Sequence, residues 1–378
     1  MPAERPELPR GWPPAFARGE ANRRALVVLA ALRGISPRRL RELAWRVGDA
    51  AACLEEVRRG RAGSPKDREA ARVLDPAELL RRAEGVGARP VAPGEDEYPP
   101  SLLDLADPPA ALFVRGARLE PARRVAVVGA RNCTPAGAEV ALELGRALAA
   151  AGVWVVSGAA RGIDARAHEG ALAAGGPTAA VLGCGIDLAY PPRSRRLLDR
   201  IAEAGTVASE YAPGVLAEPF RFPARNRLIA ALSEAVVVVE GAEESGSLIT
   251  ADHALDLGRQ VLAVPGPVTS PLSAAPLALI REGATMIRGP ADLLDDLGLG
   301  AASAPTPSAS GLGMLEQRVL AHVAGPVLPE QVARAAGLAL PEVLAALTRL
   351  ELLGLVRSVG GRVERRGALW GRPAPPGA

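Results

Sequence analysis

The sequence predicts an α/β protein built on a largely parallel sheet, with a helical module before it and a winged helix after it. Three observations carry this. Between residues 104 and 298, short β-branched runs alternate with Ala- and Leu-rich amphipathic segments, the signature of βαβ units. Residues 20–84 show helical periodicity alone. After a stretch rich in Ala, Ser and Pro at 300–312, which reads as a linker, residues 313–370 hold three short helical segments and a strand–turn–strand. At 378 residues the chain exceeds one compact core, and its 48% hydrophobic content excludes a disordered or fibrous chain.

In the first module Leu26, Val27, Leu29 and Leu32, then Leu40, Leu43 and Val47, fall at helical spacing. Between them Gly34 ends one helix, and Ser36-Pro37 start the next by the N-cap and N1 rules. The segment resembles a helix-hairpin-helix or sterile-alpha-motif-like domain, a class that docks DNA backbone through its hairpin amides; plain helical packing is the competing reading. The central strands are expected at Arg124–Gly129, Val153–Ser157, Thr178–Leu182, Thr206–Ser209, Ala235–Val239 and Gln260–Val264. Such runs are buried on both faces, so helices must cover both sides, and ligands sit where loops leave the C-terminal strand ends. In the last module Leu315–Val323, Leu328–Ala336 and Pro341–Leu353 are expected helices, with a hairpin at 354–359 and 361–364. Winged helices commonly meet duplex DNA through the third helix. Here Glu342 and Glu351 stand there against Arg349 alone, which suits a protein contact equally well.

Several function classes drop out. No run of eighteen uncharged apolar residues appears, and Glu4 and Glu7 stand where a secretory leader needs an apolar stretch, so a cytoplasmic protein with no membrane partner is expected. Cys53, Cys133 and Cys184 form no CxxC, and His168, His253 and His322 share no ligand spacing, so neither disulfides nor a metal site is expected. Net charge is only +3, but Lys66 is the sole lysine. Nearly every cation is therefore a guanidinium, whose fork geometry grips phosphate, although a GC-rich coding sequence explains the bias as readily.

Four strand ends carry the chemistry. The first, Gly129-Ala130-Arg131-Asn132-Cys133-Thr134-Pro135, lacks the GxGxxG and GxxxxGK[ST] fingerprints and places Arg131 where a pyrophosphate would lie, a phosphate anchor at a helix N-terminus or else a salt bridge. The second, Ser157-Gly158-Ala159-Ala160-Arg161-Gly162-Ile163-Asp164, offers amides to an anion; Asp164 can cap the next helix, and Arg161 points to ligand or pairs with Asp164. His168, four residues after Asp164, reads as an internal hydrogen-bonding group before a catalytic base. Third, Phe220-Arg221-Phe222-Pro223-Ala224-Arg225-Asn226-Arg227 is the densest basic and aromatic cluster, the combination that single-stranded nucleic acid rewards. Fourth, Ser245-Gly246-Ser247, followed by Thr250, is a hydroxyl-and-amide nest suited to phosphate oxygens.

At these residues the chain resembles the DNA-processing protein A family (DprA, also called Smf), recombination mediators of natural transformation. The likeness runs over residues 100–295 through Gly129-Ala130-Arg131, Arg161-Gly162-Ile163-Asp164, Gly183-Cys184-Gly185-Ile186-Asp187 with Tyr190-Pro191, Phe222-Pro223 with Arg225-Asn226-Arg227, and Ser245-Gly246-Ser247-Leu248-Ile249-Thr250. The chain departs from the family pattern at Glu244, Ala275, Leu277 and Ser194. The resemblance implies an extended Rossmann-like core that dimerises, binds single-stranded DNA and helps load the RecA recombinase where single-strand-binding protein would otherwise sit, with no cofactor and no catalysis. The expected DNA-binding residues are Arg131, Asn132, Arg161, Gly162, Phe222, Arg225, Asn226, Arg227, Ser245, Gly246, Ser247 and Thr250. Two rivals stand beside it. A nucleoside monophosphate phosphoribohydrolase of similar fold would need a carboxylate where this chain has Thr250. A duplex-binding regulator would act through residues 313–370 alone.

Overall fold

The computed structural model describes residues 8–119, 122–299, 312–323, 325–352, 355–359 and 361–365. By its internal contacts the chain divides into two compact units, 1–299 and 300–378. All but the last residue of the expected linker at 300–312 lies outside the described residues.

The first unit opens with five helices: α1 (Glu20–Leu29), α2 (Pro37–Val47), α3 (Ala50–Arg58), α4 (Pro65–Val73) and α5 (Pro76–Glu84). Their starts follow the capping rules. Ser36, Asp49, Ser64 and Asp75 each accept a first-turn amide, and Pro opens three of the four helices that follow them. In the turn after α1, two backbone amides are already taken within the protein. Asp67 of α4 accepts the Arg33 and Gly34 N–H groups at 2.9 and 2.8 Å and closes a capping box with Ser64. Of the two readings of this module, the bonds favour plain helical packing, because a buried carboxylate already satisfies those two donors.

The chain then enters a sheet: β1 (Ala88–Val91), β2 (Leu112–Gly116), β3 (Arg124–Val128), α6 (Pro135–Ala150), β4 (Trp154–Ser157), α7 (Ile163–Ala173), β5 (Thr178–Leu182), α8 (Arg195–Ala204), β6 (Thr206–Ser209), α9 (Arg221–Ala231), β7 (Ala235–Val238), α10 (Gly246–Asp256), β8 (Gln260–Ala263), α11 (Ala274–Arg281), β9 (Thr285–Met286) and α12 (Pro290–Asp296). The order is β1-β2-β6-β5-β4-β3-β7-β8-β9. All six expected strands are present. The pairs β3/β4, β3/β7, β4/β5, β5/β6, β7/β8 and β8/β9 are parallel, while β1/β2 and β2/β6 are antiparallel. The antiparallel edge and β9 are additions to the sequence reading.

Val125, Val127, Val155, Val237 and Leu262 pack on one face beneath Leu144, Leu148 and Ile163 of α6 and α7. Ala126, Val128, Val156, Val236 and Val238 pack on the other beneath Leu228, Ile229 and Ala251 of α9 and α10. The successive valines of each strand alternate between these layers, as the twofold period of a strand requires. The N-terminal helices share a third cluster with the sheet's other end, where Leu26, Leu43 and Val57 join Phe113, Leu182 and Ile201.

The second unit holds α13 (Met314–Ala321), α14 (Pro329–Ala336), α15 (Leu340–Leu352) and the antiparallel pair β10 (Val356–Val359) and β11 (Arg362–Arg365). Val319, Val332, Val343, Leu350 and Val363 form its core. Three helices and a hairpin are a winged helix, as expected; Leu353, Gly354 and 366–370 lie outside the described residues.

Candidate nucleic-acid interface

From β3 the chain steps outward through β4, β5 and β6, and from β7 it steps the other way through β8 and β9. The order therefore reverses between the neighbours β3 and β7, and the loops leaving their C-terminal ends diverge. This is the position where doubly wound sheets bind ligands. A cleft of about 200 Å³ opens there, lined by Gly129–Arg131 after β3, Ala160 and Asp164 after β4, the Phe222/Arg225/Asn226/Ile229 side of α9, and Ser245–Ser247 with Thr250 at the start of α10.

Eight of the twelve expected residues meet in this cleft: Arg131, Phe222, Arg225, Asn226, Ser245, Gly246, Ser247 and Thr250. Arg131 is exposed, and its guanidinium carbon lies 5.2 Å from the centroid of the Phe222 ring. Tyr190, half exposed and outside the cleft lining, stands 5.2 Å from the Phe222 ring, so a cation and two aromatic rings are grouped around Phe222. Asn226 Nδ2 donates to the Gly246 carbonyl at 3.0 Å and ties α9 to α10. Ser245 caps α10 by accepting the Ser247 N–H at 3.2 Å, with the two hydroxyls 2.6 Å apart. The helix presents its positive end to the cleft.

Arg225 forms the floor. It is 4% exposed and donates to the carbonyls of Gly158, at 3.1 Å, and Val181. Asp164, also buried, accepts the Gly158 and Ala160 N–H groups at 3.2 and 3.4 Å and so braces the β4 loop. Burial raises its carboxyl above the ordinary value of 3.8, with Arg225 pulling the other way. Burial likewise lowers the pKa of Arg225, with Asp164 opposing the shift.

The other four expected residues lie outside the cleft. Arg161 donates to Asn132 at 2.8 Å on the exposed rim, so it pairs with Asn132 and not with Asp164. Gly162 has φ +79°, and a Cβ there would stand 2.2 Å from the Ala130 carbonyl; it lets the β3 and β4 loops touch. Arg227 is buried in a bidentate pair with Glu210, at 2.8 and 2.7 Å, and reaches Asp107 at 3.0 Å. Burial opposes its charge, but Glu210 and Asp107 overcome this and hold its pKa above the ordinary value. Its guanidinium is thus committed inside the protein.

His168 bonds through Nδ1 to Thr178 at 2.6 Å, not to Asp164, whose carboxylate is drawn to the loop amides. Burial, reinforced by Arg225, pushes its pKa down to about 3. Phe220 is 61% exposed and Glu244 is exposed outside the cleft lining. Among the described residues no group of His, Cys, Asp and Glu could hold a metal ion, and no helix is long and apolar enough to cross a membrane.

The model of the family described as DNA recombination-mediator protein A matches residues 89–298. The chain belongs to this family. A DprA winged helix domain model matches residues 303–362. Protein Smf of Escherichia coli K12 is 39% identical over 289 residues, covering 73% of this chain and 77% of its own. A putative DNA processing protein DprA of Mycobacterium tuberculosis is 39% identical over 355 residues, covering 86% and 90%. Among solved structures, DNA processing protein A of Streptococcus pneumoniae superposes with TM-score 0.63 at 33% identity, covering 74% of this chain and 98% of that one. The Helicobacter pylori protein, whose structure was described for its single-stranded DNA binding mode, gives TM-score 0.51 at 29% identity, covering 56% and 95%.

In this member of the DNA recombination-mediator protein A family, sequence reasoning passed over Ala160, Pro223 and Ile229 as cleft residues. Ile229 had a usable signal. Phe222, Asn226 and Ile229 are spaced four and three apart on one helical face, while Arg227, five after Phe222, points about 140° away. Pro223 obscured the helix, yet it sits in the first turn of α9, where a missing N–H costs nothing.

Proposed function

We propose that this chain binds single-stranded DNA by its backbone in the β3–β7 cleft. It acts without catalysis of its own, as a recombination mediator that protects incoming single strands during natural transformation. The same reading has it work as a homodimer and load RecA where single-strand-binding protein would otherwise stay, driven by binding energy alone. The observation that carries the reading is the cleft itself: Arg131, the open turn of α10 and the Phe222 ring line one crevice, with the Tyr190 ring 5.2 Å from Phe222. Cations and amides suit phosphates, and ring faces accept any base, so affinity is sequence-tolerant. Family membership and the single-stranded DNA binding described for the H. pylori relative support it.

The hydrolase reading finds less support. Cleavage of the bond between base and ribose would need a carboxylate where this chain has Thr250, to stabilise an oxocarbenium ion or activate water. The cleft lining holds one carboxylate, Asp164, engaged with loop amides, while Thr250 is buried with its hydroxyl directed to the Gly246 carbonyl at 3.5 Å. Affinity for an oligothymidine measured across a salt series tests the proposal. The wild type is expected to lose affinity log-linearly with salt, and Arg131→Ala to flatten the slope by about 0.7, one phosphate's share. Equal slopes for the two proteins, or release of free base from AMP, would remove the proposal.

A further inference from the structure

Beside the start of α9, three helices that follow strands β3, β4 and β7 begin around this cleft, and among the described residues the chain supplies a carboxylate at two of them. At α6, Thr134 accepts the Gly137 N–H at 3.0 Å, while its own N–H and hydroxyl both go to the Glu240 carboxylate, at 2.8 and 2.5 Å. Glu240 comes from the neighbouring strand, two residues past the end of β7, and its carbonyl accepts the Ala130 N–H at 2.7 Å. The carboxylate lies so close to the helix that a Cβ on Gly137 would stand 2.3 Å from its carbon. At α7, Asp164 takes the Gly158 and Ala160 amides. At α10 no carboxylate among the described residues takes a first-turn amide. Ser245 caps Ser247, the Gly246 N–H donates to no group among the described residues, and a Cβ on Gly246 would meet nothing within 4 Å.

In doubly wound sheets the helix after the first strand at the switch point is where a nucleotide's phosphate rests, on the amides and positive end of that helix. We propose that Glu240 is a specificity-determining residue: its carboxylate stands in for that phosphate at α6, closing the position to nucleotide phosphates and leaving the α10 turn for the backbone of a strand. A phosphate approaching α6 meets a fixed negative charge and finds the Thr134 donors already taken, so discrimination comes from repulsion as much as from lost contacts. Glu240 also holds the segment from Ala130 to Thr134 at both ends, which sets where Arg131 projects. The α10 half of this inference rests on the DNA-binding reading above; the closure of α6 does not.

Full-length wild type, Glu240→Ala and Glu240→Gln are compared by titration with inorganic phosphate and by thermal unfolding in sodium formate against sodium chloride of equal ionic strength. Emptying the position is expected to create an anion site. The Ala variant should bind phosphate at least tenfold more tightly than the wild type, and formate should raise its unfolding midpoint by several degrees while leaving the wild type unmoved. Glu240→Gln, which keeps the side-chain volume but removes the charge, should bind phosphate more tightly than the wild type and less tightly than the Ala variant; a Gln variant that matches either of them would overturn the proposal. So would equal responses of the Ala variant and the wild type. Should Glu240→Ala not fold in chloride, recovery on refolding in formate supports the proposal and failure to recover in formate or phosphate contradicts it. Oligothymidine binding by the wild type is followed in parallel: its absence would remove the DNA-binding reading and the α10 half, and leave the phosphate result at α6 to stand or fall alone.

Discussion

Arg131, Arg225 and Arg227 have the same side chain and three different fates, decided by what surrounds each. Arg131 is exposed beside Phe222 and, among the described residues, pairs with no carboxylate. Replacing it with Ala removes one charge-assisted contact worth about 1.5–3 kcal/mol, an expected loss of roughly ten- to a hundredfold in oligothymidine affinity with unchanged thermal stability. Arg227 is the converse case. Its removal leaves Glu210 buried and unpaired, so Arg227→Ala should destabilise the protein by about 3–5 kcal/mol in urea unfolding. His168 sets an acid limit. Its folded pKa of about 3 lies below the ordinary 6.5, so the unfolded chain binds its proton first as pH falls. The stability it protects is complete above pH 6.5 and declines towards pH 3 by about 1.4 kcal/mol per unit. Urea midpoints of wild type and His168→Gln measured over that range should differ in slope, the variant's being shallower. These distinctions were only partly legible in the sequence. The motif Arg225-Asn226-Arg227 marked a cationic cluster, but which arginine faced the ligand depended on α9 being a helix, and Glu210 and Asp107 are 17 and 120 residues from Arg227.

Capped helices and β-branched strands could be read directly, because Ser36, Asp49, Ser64, Thr134 and Ser245 act through neighbours two or three residues away. Elements defined by distant partners could not. The α1–α2 turn has the look of an amide-presenting hairpin until Asp67, more than thirty residues on, claims Arg33 and Gly34. That bond set predicts a structural effect: Asp67→Ala strands three backbone donors and should cost about 3 kcal/mol without altering DNA affinity. The start of α10 predicts the opposite. The space at Gly246 is open, and an acidic residue in a first turn favours the helix dipole. Gly246→Asp should therefore keep or slightly raise the unfolding midpoint while lowering oligothymidine affinity by roughly tenfold or more, through like charge set against phosphate.

The reversal of strand order between β3 and β7 turns these local features into a site. Alternation of strands and helices revealed the parallel sheet, and their number came close; the order in space did not follow from it, since β1 and β2 join antiparallel beyond β6 and the crevice exists only once β7 pairs with β3. Because the cleft is built wholly within the first unit, a chain ending at residue 299 is expected to bind oligothymidine within about threefold of full length, well under the tenfold that 1.4 kcal/mol would bring. In the winged helix the exposed side of α15 carries Pro341, Leu344, Ala345 and Thr348 with Glu342, Arg349 and Glu351, and its one arginine is paired with Glu316 at 3.2 Å. A structure of the protein with a short oligothymidine puts the whole arrangement to the test. The expected result is a phosphate within hydrogen-bond reach of the Gly246 N–H and the Arg131 guanidinium, with a base against Phe222 or Tyr190. A strand seated on the winged helix or at the start of α6, with the β3–β7 cleft left open, would contradict it.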